Sequence, residues 1–316
     1  MVDSAQLSRS KSIHRRTGRT FYFATRLLPK RVRRATYVLY AFFRVADEVV
    51  DDPGEASPAA QRRRLEEFRE AALGRRLTDD PVVSAFAELR AEYDIPAEEV
   101  DEFIDAMASD VETSRYETYE ELEAYMRGSA AAVGAMMTYV MEPDDLEAAL
   151  PHARTLGEAF QMTNFLRDVG EDVAERDRIY LPQETLDRYD VDVRDVEERR
   201  FTGEFAMAVE RELQRTEQLY LEGVAGIQYL PADCQLPVLT AAVLYADHHR
   251  LIREGGYDTL TRTPSLGTLR KLVLVARTRW HWQFVEDPEA VFRTVSEGVA
   301  GDEPTPARPD DPLPTH

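Results

Sequence analysis

Lysine and cysteine are nearly missing from this chain. Of its 39 basic side chains only Lys11, Lys30 and Lys271 are lysines, set against 59 acids and a net charge of -20. The one cysteine, Cys234, excludes an internal disulfide and any multi-cysteine metal site, and it reads as a small buried hydrophobe. No apolar stretch approaches the ~20 residues of a spanning helix, and no signal-type run follows the early charges. The chain is therefore expected in the cytoplasm, with peripheral contact at a membrane left open. Acid excess with so little lysine suits a halophilic cytoplasm, where molar salt screens the self-repulsion. It also argues against a general nucleic-acid binder, so no nucleic-acid partner is expected.

Acids are missing locally too. None occurs between Asp3 and Asp47, a stretch of 43 residues holding eleven bases. That segment is expected to meet something anionic, or to pair with acids elsewhere in the fold. The period-2 alternation of strands is also hard to find, while apolar residues recur at helical spacing almost everywhere. The pattern predicts an all-α fold. Ser57-Pro58 opens a helix that stops near Gly74, Pro81 and Pro96 mark first turns, and Gly255-Gly256 ends a helix begun near Pro231. No repeat and no Pro/Gly/Ser-rich linker divides the chain. A single helical domain is expected over residues 1–300, with a basic N-terminal segment at 4–46. Residues 301–316, with five prolines and four acids, read as a disordered tail.

What is present is acid where apolar helix is expected. In AFFRVADEVVD, residues 41–51, Asp47 and Asp51 lie four apart, hence on one helix face and about 6 Å apart along the axis. In so acidic a chain roughly eleven such pairs arise by chance, so the pair alone means little. Its upstream helix gives it meaning. TYVLYAFFRVA is apolar nearly all round except at Tyr40 and Arg44, which fall on the same stripe as the two acids. A second stripe, Gln161, Asn164, Asp168 and Asp172, follows the spacing i, i+3, i+7, i+11 in FQMTNFLRDVGEDVAERDRIYLP. Buried charges persist when paired or bound to an ion, so two polar seams imply two sides of one cavity. Carboxylates with an amide oxygen are hard ligands of the kind that hold Mg²⁺, with Mn²⁺ as a substitute. A metal would let such a site accept a diphosphate, with Arg44 and the basic segment on its outer oxygens.

These two strings resemble the aspartate-rich motifs of the squalene and phytoene synthase family, the head-to-head prenyl transferases. The likeness extends through TFYFATRLLPKRVRRATYVLYAFFR, YMRGSAAAVG, LYADHHR and TRTPSLGTLRK, and so covers most of residues 9–275. It implies a single-domain helical bundle of isoprenoid-synthase type around a central cavity. It also implies that Asp47, Glu48 and Asp51 form one magnesium site, and Asn164, Asp168, Glu171 and Asp172 a second. Arg19, Arg44 and Arg262 are similar to its diphosphate contacts. Thr20, Phe21, Tyr40, Tyr125, Gln161 and Tyr245 are similar to its substrate-lining positions, with Tyr245 placed beside the four aspartates among the catalytic residues. Two features depart from the family pattern: Ala131 replaces a usual glycine, where it would narrow or reshape the tunnel, and the link from Asp172 to Arg178 is one residue longer.

The implied chemistry is condensation of two geranylgeranyl diphosphates to phytoene through a cyclopropyl diphosphate, without NADPH. Squalene or dehydrosqualene synthesis from farnesyl diphosphate is the alternative. A prenyl diphosphate is the expected partner, with membrane contact considered only for product release; nothing in the sequence sets an oligomeric state. Two other classes compete. A helical metal phosphohydrolase would use His248-His249, but Asp247 precedes them and only six histidines exist. A non-catalytic protein gripping anionic lipid or nucleic acid with its basic segment would leave both acid seams unexplained.

Overall fold

The computed structural model describes residues 24–52 and 54–296. Arg19, Thr20, Phe21, residues 4–23 of the basic segment and the 301–316 tail lie outside the described residues. No strand occurs among the described ones.

Helix α1, Lys30–Asp51, has no glycine or proline within it and buries Val32, Leu39, Phe42, Ala46 and Val49. Three shorter helices pack behind it: α2 (Pro58–Ala72), α3 (Pro81–Glu92) and α4 (Ala97–Ser109). Ser57 caps α2 by accepting from the Ala60 N–H, and Asp80 caps α3 by accepting from Val82 and Val83, each with proline at the first position. Such caps contribute about 1 kcal/mol each. Pro96, expected in a first turn, instead sits one residue before α4. Gly74, at φ +73°, follows the end of α2.

Next come α5 (Tyr119–Met126), a π-helical turn at Arg127–Ala131, and α6 (Ala132–Tyr139). The long α7, Leu146–Arg167, crosses them. Gly157 permits that crossing, since a methyl there would lie 2.4 Å from the Ala130 carbonyl oxygen. The short α8 (Val169–Arg176), α9 (Gln183–Arg188) and α10 (Val193–Glu197) follow. Then come α11 (Gly203–Ala225), a 3₁₀ turn at Gly226–Tyr229, α12 (Ala232–Glu254), α13 (Thr268–Trp282) and α14 (Pro288–Val295).

Two cores result. The larger surrounds the central cavity and includes the stacked pair Phe42 and Phe86, 3.6 Å between centroids. The smaller, around Leu166, Val169, Phe205, Val209 and Leu260, lies under the junction of α7 and α8. A buried polar chain ties α7, α11 and α12 together. Thr163 Oγ1 lies 2.9 Å from the Tyr220 hydroxyl and 3.0 Å from His249 Nε2, and His249 Nδ1 lies 3.2 Å from Glu217. Burial pushes the Glu217 carboxyl up, but hydrogen bonds from His249 and Arg253 prevail and hold it below the usual range.

Candidate active site

The helices enclose a cavity of about 1080 Å³. Helix α7 lines it from Ala149 to Arg167, about 27 Å at 1.5 Å per residue. Around the first half of α7 the walls are apolar, with Met137, Met141, Leu156, Ile227 and Leu230. Near its end they are charged.

The first seam keeps its expected form. Tyr40, Arg44, Asp47 and Asp51 all line the cavity from the unbroken α1. Glu48 does not: one residue from Asp47 is about 100° around the helix, so its side chain is exposed to solvent. The second seam also reaches the cavity, with Gln161, Asn164, Asp168, Glu171 and Asp172 all in its lining. It does not lie on one helix, as the spacing predicts. Helix α7 ends at Arg167, Asp168 adopts φ -105° and ψ 15°, and α8 starts at Val169. The Gly170 N–H bonds the Thr259 carbonyl at 2.9 Å, and a methyl on Gly170 would stand 2.0 Å from the Leu260 oxygen. Close approach of the 259–260 backbone therefore turns the chain at the seam.

The two seams meet. Arg176 reaches Asp51 at 3.3 Å and Asp172 at 3.1 Å, bridging helices far apart in sequence. Arg178 donates to Asp51 at 2.9 Å and to the Asp110 carbonyl at 3.1 Å. After Asp172 the chain turns at Asp177, in the left-handed region at φ 52°, and Tyr180 reaches the cavity. Arg167 forks onto Asp168, and Arg44 pairs with Asp47 at 2.8 Å. Arg167, Arg176, Arg178 and Asp110 were not singled out as site residues from the sequence. Among 39 bases and 59 acids, nothing local marks them.

Burial, with Asp51 nearby, pushes the Asp47 carboxyl up to about 6 against the pull of Arg44. Burial, with Asp168, Glu171 and Asp51 adding repulsion, pushes Asp172 up to about 7. Asp110 rises to about 7 from burial although Arg178 and Tyr125 oppose it, and its Oδ1 is buried without a partner. Both α1 and α7 also direct their C-terminal dipole ends here. Carboxylates crowded at one end of the cavity, with Asp47 and Asp172 costly to ionise, fit a divalent cation in chemistry. Among the described residues, however, no three His, Cys, Asp or Glu side chains converge on one point. Arginines hold the carboxylates instead.

Aromatic rings flank the charged end. Phe165 stacks on Tyr180 at 3.8 Å, and Tyr125, which donates to Asp110 Oδ2 at 2.8 Å, lies beside both. Across the cavity Phe160 stacks on Tyr245 at 4.5 Å. Two further expectations are corrected. Arg262 is exposed in the loop after α12 and is not part of the lining. Ala131 is buried but absent from the lining, where Ser129, Ala130, Val133 and Gly134 appear, so its methyl does not narrow the cavity. His248 lines the cavity with Nδ1 3.0 Å from the Tyr245 carbonyl, and burial lowers its pKa to about 4. Asp247 is held by Arg250 and Arg270, so LYADHHR builds structure rather than a histidine metal site.

Comparison with known proteins gives a consistent picture. The family model described as squalene/phytoene synthase matches residues 14–272. A phytoene synthase of Rhodobacter capsulatus is 34% identical over 280 residues, 88% of this chain and 82% of that one. A 15-cis-phytoene synthase of Synechocystis is 31% identical, over 81% of this chain and 79% of its own. Among solved structures, a dehydrosqualene synthase in complex with ligand superposes with a TM-score of 0.79 at 27% identity, covering 89% of this chain and 98% of that chain.

Proposed function

The chain belongs to the squalene/phytoene synthase family, and on that premise we propose how its cavity makes phytoene from two geranylgeranyl diphosphates, releasing two diphosphates. One observation carries the reading: two carboxylate seams and four arginines close one end of a 1080 Å³ cavity whose other end is apolar.

Asp47, Asp51, Asn164, Asp168, Glu171 and Asp172 would hold the metal, which we take to be magnesium with manganese as a substitute. When bound, it supplies Lewis-acid neutralisation of the diphosphate. Arg44, whose buried Nε has no partner, faces the same end and binds diphosphate oxygens together with Arg167, Arg176 and Arg178. Arg19, Thr20 and Phe21 remain substrate contacts by resemblance alone. Gln161 and Tyr40 orient the reacting carbons between the seams.

The C1–O bond of one substrate breaks and its electron pair leaves with the diphosphate. The allylic cation left behind is attacked by the double bond of the second substrate, and a proton is lost to close the cyclopropyl ring. Ring faces of Tyr125, Phe165 and Tyr180 on one side, and of Phe160 and Tyr245 on the other, favour positive charge there. Ionisation of the second diphosphate gives a cation enclosed by apolar walls that exclude water. It ends by losing a proton, and no NADPH is consumed.

The farnesyl alternative is supported by the likeness to the dehydrosqualene synthase structure. Enzyme, magnesium and geranylgeranyl diphosphate alone should give phytoene. NADPH should change neither rate nor product, and farnesyl diphosphate should react less well. Squalene as the main product, rising with NADPH, would refute the chain-length assignment. The charge of -20 leads to a second expectation, a halophilic protein whose melting temperature is higher in molar potassium chloride than in dilute buffer. An unchanged or lower value refutes it.

No described helix is long and apolar enough to cross a membrane.

A further inference from the structure

Besides the basic segment at 4–46, a second stretch breaks the charge pattern of the rest. Residues 259–285 contain Arg262, Arg270, Lys271, Arg277 and Arg279 and no acid, in a chain of net charge -20. Helix α13 occupies most of this stretch. Leu274 and Thr278 are its buried positions, on the face that packs beside α12 and α14.

The opposite face is apolar and bare. Leu269, Leu272, Val273, Ala276 and Trp280 follow the spacing i, i+3, i+4, i+7, i+11, and Phe284 continues the line beyond the helix. Leu269 is 77% exposed, Trp280 61% and Phe284 68%. Of the eleven exposed large hydrophobics among the described residues, six lie between 269 and 285, a concentration that marks a contact surface rather than scatter. At ~100° per residue, Arg277 and Arg279 fall about 80° to either side of the stripe. The N-terminal end of α13 also adjoins the cavity, because Thr263–Thr268 and Lys271 are part of its lining.

We propose that this face of α13 docks on the surface of an anionic lipid bilayer. Apolar stripe, exposed tryptophan and flanking arginines are the elements of an interfacial helix. Outside this face and the basic 4–46 segment the protein is acidic and is repelled by the same surface, which favours an orientation with α13 toward the lipid. A second copy would set two basic faces against each other. The chain beyond 296 is acidic but holds almost no apolar side chain to cover the stripe, and the chain before 24 is itself basic. Resting on the proposed function, the placement gives a water-insoluble hydrocarbon a short path from cavity to lipid.

The chain has two tryptophans, Trp280 and Trp282, both on α13, so intrinsic fluorescence reports on this helix directly. Full-length protein is mixed with vesicles of phosphatidylglycerol and phosphatidylcholine, or of phosphatidylcholine alone, and then floated. Binding to the anionic vesicles with a blue shift of emission is expected. The Leu269→Ser/Leu272→Ser variant should lose roughly tenfold or more in partitioning, and Arg277→Gln/Arg279→Gln roughly tenfold in dilute salt. Both should keep wild-type helicity and turnover of detergent-dispersed substrate. Failure to bind anionic vesicles, equal binding by the serine variant, or self-association that this variant abolishes would overturn the proposal. So would a tail-deleted protein that binds when the full chain does not. Docking is read without substrate, so a protein that binds vesicles but makes no phytoene refutes only the assigned reaction.

Discussion

The two acid seams present the same chemistry on different backbones. The first rides on one unbroken helix, α1, backed by the large core through Phe42 and Val49. The second straddles a turn between α7 and α8 that is held by the 259–260 backbone against Gly170 and backed by the small core. Helical periodicity alone sets the spacing of Asp47 and Asp51, whereas tertiary contact sets the aim of Asp168 and Asp172. A seam of the first kind tolerates local change. One of the second kind fails when a distant segment moves.

The largest effect expected is common to both. Asp51→Asn and Asp172→Asn should each cut diphosphate release by roughly three orders of magnitude, about 4 kcal/mol of barrier, with circular dichroism unchanged. Near wild-type turnover at limiting magnesium in either would remove that residue from the metal site and end the equivalence of the seams.

Backbone substitutions should then separate them. Gly170→Ala forces a methyl against the Leu260 carbonyl, an overpacking that costs about 3 kcal/mol. Activity should fall with it, because Asp168 and Asp172 are carried out of line. In the first seam Ala46→Gly, fully buried in α1, should cost only about 1–2 kcal/mol and leave turnover within about twofold. Denaturant titration and steady-state rates on the pair decide the matter; equal losses of activity would erase the distinction.

The smallest effects are expected just outside each seam. Glu48→Gln and Arg262→Gln, both exposed and off the cavity, should change kcat/KM by less than about twofold. A tenfold loss would show that one of them swings inward when substrate binds.

Much of this was readable before any coordinates. Tyr40, Arg44, Asp47 and Asp51 announced themselves because polar residues at helical spacing are conspicuous on an otherwise apolar helix. Ser57-Pro58, Pro81 and Gly255 marked helix ends because caps and prolines act locally. Arg176, Arg178 and Asp110 stayed hidden since their significance comes from partners 68 to 127 residues away, as the 127-residue span from Arg178 to Asp51 illustrates. The break at Asp168 was hidden for the same reason: its cause is the carbonyl of Thr259. Family likeness extended the reading to Arg262, yet the side chain points to solvent.

The π-helical turn at Arg127–Ala131 makes segment length matter alongside residue identity. In an uninterrupted α-helix Tyr125 and Gly134, nine residues apart, would face about 180° from one another. With the wider turn between them, both line the cavity. Loss of a single codon anywhere in 127–131 would restore ordinary helix at little local expense, while rotating half of this wall out of the cavity. Selection on the gene should therefore permit almost no change in the number of these five positions, on top of the constraint at Gly128, where a methyl would stand 2.1 Å from the Glu102 carbonyl oxygen.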